Sequence, residues 1–433
     1  MYSKTSNILK MTSSIKILSR LFVILTLPIL ILLSLDVNMS WVLVPFVCIE
    51  VILIIFKYSK MQVLQMLILY LFVYFLYLIP YFFFNYQLSD YSRYQNVIFY
   101  NKVAFLFYLF YLSVLCVPIK NKKMVYVRLF DRVHIRTGKL QKMIYLLLLL
   151  FVFVLSIRQG QNVLASDNSY ELYRENLESV NSLPLYLILL LIYFPIIFDW
   201  NKSNKIIFSG IISVVILFCI SRGVRMVLAP AIILSFMVFL EGVLNRKKFL
   251  MMFGVGYVFF IFINALKMNI EMQMNMLFSE GSDKMIISHH ADTLYCAASC
   301  FGLIKDGTLT IIERIPLTLS FLCEIIVPPS IISDEYKFPH IINIHAETGG
   351  GGLFLSGAFL MWGYVGVFIF GYFLTKMLTK AYFSYSASIF NVIACIVIVV
   401  FFPRWMSYDY HIILKFPFWG LILYYFFTCK IRF

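Results

Sequence analysis

The chain has 433 residues, 62% of them hydrophobic and only 13% charged, with mean hydropathy +0.88. A soluble domain carries about 45–50% apolar and about 25% charged residues, so the composition excludes a soluble enzyme and points to an all-α polytopic membrane protein. The formal net charge of +15 would fit nucleic acid only if it clustered on one surface, whereas membrane proteins acquire such a balance from basic cytoplasmic loops.

The first apolar run follows a polar, lysine-bearing start without a small-residue cleavage site, which reads as a retained helix. Apolar runs of about 15–25 residues predict about twelve transmembrane helices. They fall at 20–36, 40–56, 62–84, 97–118, 143–157, 184–199, 206–220, 226–244, 249–266, 353–375, 387–402 and 416–429. With both termini cytoplasmic, "KYSK", "KNKKMVYVRLFDRVHIRTGKLQK", "NKSN", "NRKK", "TKMLTK" and "CKIRF" all lie inside. About 23 of the 36 Lys and Arg are then inside and about 12 outside, with Lys102 in a span. The charge is topology, and nucleic acid is excluded as a partner.

Residues 1–266 form a first nine-helix region with a small periplasmic loop at 158–183. Residues 267–352 are a large periplasmic loop, and 353–433 hold the last three spans. Within the large loop, "ADTLYCAASCFGLI" and "LTIIERIPLTLSFLCEIIV" have helical periodicity and read as interfacial or re-entrant helices. The second carries Glu313, Arg314, Pro316 and Glu324 and is not counted as a span; counting both would give fourteen. The "CAASC" cysteines read as packed thiols rather than a disulfide or metal ligands. No internal repeat of the inverted-transporter kind is visible. The inner loops have no phosphate-binding glycine motif, so chemistry is expected outside.

The stretch "SRGVR" stands between two apolar segments. The span before it has only about 15 residues, about 22 Å of a core about 30 Å thick, which sets Arg222 below the outer interface. Gly223 permits a turn, and Arg225 opens the next helix, whose N-terminus attracts anions. Two guanidiniums there can hold a phosphate or diphosphate; the alternative is that both reach for lipid headgroups. Arg174 in "YELYREN", Arg314 in the periodic segment and Arg404 in "FFPRWMSYDYH" add outer cations, while Arg158 ends a span as a headgroup contact would. For acid–base work, "FPHIINIHAETGGGG" offers His340, His345 and Glu347. His289 and His290, with Asp292 nearby, are a second candidate pair. No motif for a metal is present, and none is expected.

"SRGVR" in mid-chain, the loop around "YELYREN", the proline-marked "ERIPLTL…IIVPPS" and the glycine-bearing "GAFLMWGYVGVFIFG" together resemble the O-antigen (oligosaccharide repeat-unit) polymerase family, Wzy, of bacterial inner membranes. The resemblance implies a multi-pass glycosyltransferase without metal or other cofactor. Its donor and acceptor would both be undecaprenyl-diphosphate-linked oligosaccharides, and its further partners membrane lipids and the chain-length regulator and flippase of the same pathway. It implies diphosphate-binding roles for Arg222, Arg225, Arg174, Arg314 and Arg404. By position, it implies a base at His345 or His340, similar to the loop histidine of the related O-antigen ligases. Several histidines and the adjacent Glu347 keep that assignment open. An O-antigen ligase of the same architecture and a lipid-linked oligosaccharide flippase are the alternatives.

Overall fold

A computed structural model describes residues 2–88, 93–118, 126–133, 137–157, 183–221, 225–267, 288–327, 331–346, 352–384, 387–407 and 410–428. Among these the chain is helical, without a β-strand. The helices begin with α1 (Tyr2–Ser34), α2 (Ser40–Lys57), α3 (Gln62–Leu76), α4 (Leu78–Phe84) and α5 (Val97–Cys116). Next come α6 (Lys139–Ile157), α7 (Leu183–Ile197), α8 (Lys202–Ser221), α9 (Arg225–Ser235), extended by a π-helical turn at Phe236–Leu240, and α10 (Arg246–Lys267). The remainder are α11 (His289–Lys305), α12 (Ile311–Cys323), α13 (Phe338–Ala346), α14 (Phe354–Phe383), α15 (Ile389–Val400), α16 (Phe402–Ser407) and α17 (Ile412–Thr428).

All twelve predicted apolar runs fall on helices. Seven stretches among the described residues are long and apolar enough to cross a membrane, and four shorter apolar helices accompany them. This is the helix inventory of a multi-pass membrane protein. α14 bends at Gly363, whose φ of +68° lies in the left-handed region that favours glycine.

The chain forms two compact units. One joins residues 1–124, 274–379 and 405–411; the other joins 125–273, 380–404 and 412–433. Each therefore draws on stretches from both sides of the loop 267–352.

In the first unit, α5 is buried along nearly its whole length and packs against α1, α2 and α11. Its N-terminus is capped by Asn96, whose side chain accepts from the Ile98 N–H at 2.9 Å. At its C-terminal end the Lys57 ammonium donates to the carbonyls of Leu115 and Val117, where a cation complements the helix dipole. Lys102, the cation that falls within a span, is ion-paired to Asp36 at 3.2 Å, and Lys305 approaches the same carboxylate at 3.9 Å.

The segment "ADTLYCAASCFGLI", expected as an interfacial or re-entrant helix, forms α11 and is buried from His290 to Leu303, Asp292 excepted, against α5 and α3. Small residues allow this: a Cβ added at Gly302 would sit 2.1 Å from the Tyr94 ring, and Ala297, Ala298 and Ser299 keep the surrounding surface shallow. Cys296 and Cys300 are both buried, with Cys300 Sγ donating to the Cys296 carbonyl at 3.2 Å.

In the second unit, α7 is apolar and buried all round, from Pro184 to Ile197. The Tyr145 hydroxyl donates to the Leu190 carbonyl at 3.0 Å, and Tyr193 donates to the Gly420 carbonyl. Two arginines of the long basic loop bind backbone. Arg128 donates to the carbonyls of Met237 and Val238 in the π-helical turn, and Arg132 to those of Tyr382 and Ser384 at the end of α14. These are orphan carbonyls of helix ends.

Candidate functional site

The first unit holds a cleft of about 440 Å³ of empty space, part of it open solvent. One wall is α12 and the turn after it, another the first turns of α14, and a third the segment Tyr410–His411. Tyr336 and Lys337 contribute a phenol and an ammonium to the lining.

His411 and Glu324 meet in this cleft, with His411 Nδ1 2.8 Å from Glu324 Oε2. The carboxylate side chain is 9% exposed and the imidazole 20%. With Nδ1–H donating to the carboxylate, Nε2 is the nitrogen that remains to take up a proton. A carboxylate on Nδ1 fixes the tautomer and orientation of the imidazole, as in the Ser-His-Asp arrangement of a histidine base.

Packing holds the histidine in place. The Tyr410 ring lies over Gly357 so closely that a Cβ there would stand 2.4 Å from Tyr410 Cε2, and the Tyr410 hydroxyl donates to the Leu353 carbonyl at 3.0 Å. Nearby, the fully buried Trp405 packs edge-on to Phe354, with centroids 5.4 Å apart. The hydroxyl of Ser407 accepts from Tyr74 at 2.9 Å.

The residues singled out from sequence are placed as follows. His345 and His340 both lie on α13. They stand five residues apart in the chain. Arg93 donates to the His345 carbonyl at 3.0 Å, which ties α13 to the segment before α5. Arg314, on α12, is half-buried with its guanidinium 5.9 Å from the Phe359 ring centroid. Its Nε is buried without a hydrogen-bond partner among the described residues, and burial pushes its pKa down from the ordinary value. Next to it, the backbone N–H of Thr310 and then the Thr310 hydroxyl hold the Glu313 carboxyl below its usual range.

Arg225 is the first residue of α9, and Arg404 belongs to α16 within the second unit. Arg222, Arg174 and Glu347 lie outside the described residues. His290 is 5% exposed, stacked on Tyr77 with centroids 5.1 Å apart and tilted against Tyr74 at 4.5 Å. His289 is 6.5 Å from the Tyr74 ring centroid. This pair belongs to the packing at the start of α11.

Sequence reasoning missed His411, and it weighed Glu324 only as a charge that argues against a span. The available signal was "SYDYH", a polar and aromatic boundary segment beside the Arg404 stretch, on the side assigned to the large loop. Comparison with protein-family models, with curated proteins and with solved structures found no match.

Proposed function

We propose that this chain is an O-antigen polymerase, a glycosyltransferase of a bacterial inner membrane that joins lipid-diphosphate-linked oligosaccharide repeat units at the periplasmic face. The observation that carries the reading is the Glu324–His411 pair, 2.8 Å apart, in a cleft that also presents Lys337. Both partners fall in stretches that the alternation of basic loops puts outside.

In this reading His411 Nε2 takes the proton of an acceptor sugar hydroxyl while that oxygen attacks the anomeric carbon of the donor. The bond from the anomeric carbon to the diphosphate oxygen breaks, and its electron pair leaves with the lipid diphosphate. Glu324 stabilises the imidazolium formed. Lys337, which lines the cleft, and Arg314 of α12, both in the same unit, are the cations this reading gives the leaving diphosphate. The base is thus assigned to His411 ahead of His345, His340 or Glu347, because His411 combines a carboxylate at hydrogen-bond distance with a cleft.

The test is the lipopolysaccharide banding pattern of a strain lacking the gene, then complemented with His411→Ala or His345→Ala. A core carrying a single repeat unit, with the long ladder lost, supports the polymerase. A core with no repeat unit points to the ligase, and accumulation of repeat units on the inner leaflet points to the flippase. Normal ladders with His411→Ala at normal abundance would remove His411 from the mechanism.

A further inference from the structure

α12 and the turn after it divide into two faces. Each helical residue advances by about 100°, and Glu324 continues the path with φ −60° and ψ −13°. Leu317, Ser320, Phe321 and Glu324 then fall within about 100° of one another, and all four line the cleft. Ile311, Ile312, Ile315, Leu319, Leu322 and Ile326 occupy the opposite side, also within about 100°. Their exposures are 76%, 78%, 58%, 57%, 45% and 67%. The helix is inverted relative to one that faces water: the Ser320 hydroxyl and the Glu324 carboxyl turn toward the cleft, and the bare aliphatic groups turn outward.

The surroundings indicate what covers that face. α12 rests on the first turns of α14, with Phe321 6.2 Å from Trp362 and Arg314 over Phe359. α14 is of membrane-crossing length and exposes a stripe of its own at Trp362, Val365, Ile369 and Phe373. The aliphatic face of α12 thus adjoins a helix whose exposed stripe belongs in lipid. With 13 residues, about 20 Å at 1.5 Å each, α12 is too short to cross a core of about 30 Å. Lying in the interface is what remains for a helix of this kind.

We propose that the aliphatic face of α12 is seated among the acyl chains at the bilayer boundary. Resting on the function proposed above, this makes α12 the wall past which the hydrocarbon tail of a lipid-anchored anionic substrate runs while its head enters the cleft. The tail remains in the membrane, and only the diphosphate and sugars reach Glu324 and His411. One helix then serves both halves of an amphiphilic substrate.

The test places tryptophan on the face by Ile315→Trp and, separately, Leu319→Trp in the full chain, reconstituted in nanodiscs of phosphatidylcholine brominated on its acyl chains. Relative to the parent protein, the added emission should be largely lost in brominated lipid and insensitive to aqueous iodide. Quenching by iodide and not by bromine would put the face in water, and quenching by neither would put it against protein; either result overturns the proposal. Independently, a photoreactive benzoylphenylalanine replacing Ile315 in cells should crosslink to lipid, whereas a crosslinked dimer or protein adduct overturns it. These measurements read the seat of α12 without reference to catalysis. A lipid-seated α12 in a chain that polymerises nothing would therefore refute the proposed function alone.

Discussion

Replacing Glu324 by glutamine removes one charge from the cleft and almost no volume. The amide oxygen can still accept from His411 Nδ1–H, so the ring keeps its orientation and loses only the stabilisation of its protonated form. At the 2.8 Å separation and an effective dielectric constant of about 20, 332/(20 × 2.8) gives a gross attraction of about 6 kcal/mol. Desolvation of two partly buried groups removes much of that. A hydrogen bond to a charged partner nets about 1.5–3 kcal/mol, and each 1.4 kcal/mol or so is a factor of about ten in rate. Glutamine keeps a neutral hydrogen bond worth about 0.5–1.5 kcal/mol, so the loss is the difference, about 1–1.5 kcal/mol. Glu324→Gln should therefore lower kcat about 5–13-fold with little change in KM, because the effect falls on proton transfer rather than on substrate binding. His411→Ala should cost about 10²–10⁴. For the proposed polymerase the assay is the polymerisation rate of purified protein in nanodiscs, with a synthetic lipid-diphosphate-linked repeat unit as both donor and acceptor. A wild-type kcat for Glu324→Gln would refute the carboxylate's role. A rise in KM with unchanged kcat would turn Glu324 into a substrate contact.

Gly357→Ala adds a Cβ 2.4 Å from Tyr410 Cε2, so the ring that precedes His411 must shift. Thermal unfolding in detergent should show a loss of about 1–3 kcal/mol, with activity falling further than stability. Gly302→Ala meets the Tyr94 ring at 2.1 Å and should cost a similar amount, but Gly302 does not line the cleft, so activity should follow the amount of folded protein. Arg222→Lys keeps the charge and loses the planar fork; if the arginine holds diphosphate, polymer length and amount should fall at matched membrane levels, and full activity would leave "SRGVR" an interface turn. Reporter fusions after Lys123 and Lys248 should give cytoplasmic signals and one within the loop 267–352 a periplasmic signal; a cytoplasmic result there would move Glu324 to the wrong side for this chemistry.

The helices were legible from sequence because their cause is local. A run of about 20 apolar residues cannot leave its backbone groups unpaired in lipid, so composition within one window dictates a helix whatever the neighbours do. The amphipathy of α12 was legible for the same reason, since 3.6-residue periodicity is written within 13 residues. α11 was not, because a helix of Ala, Ser, Cys and Gly is equally compatible with an interface and with close packing. Only the fit of Gly302 against Tyr94 and the contacts with α5 decided for burial. Arg128 and Arg132 read as topology signals, yet their guanidiniums cap helix ends far away in the chain. His411 and Glu324 show the limit most clearly. Neither has a local pattern, one follows α12 and the other precedes α17, and each taken singly is an ordinary boundary residue. A hydrogen bond of 2.8 Å depends on where two distant segments come to rest, which is set by the packing of Tyr410 over Gly357 and of Trp405 against Phe354, and no periodicity along the chain encodes it.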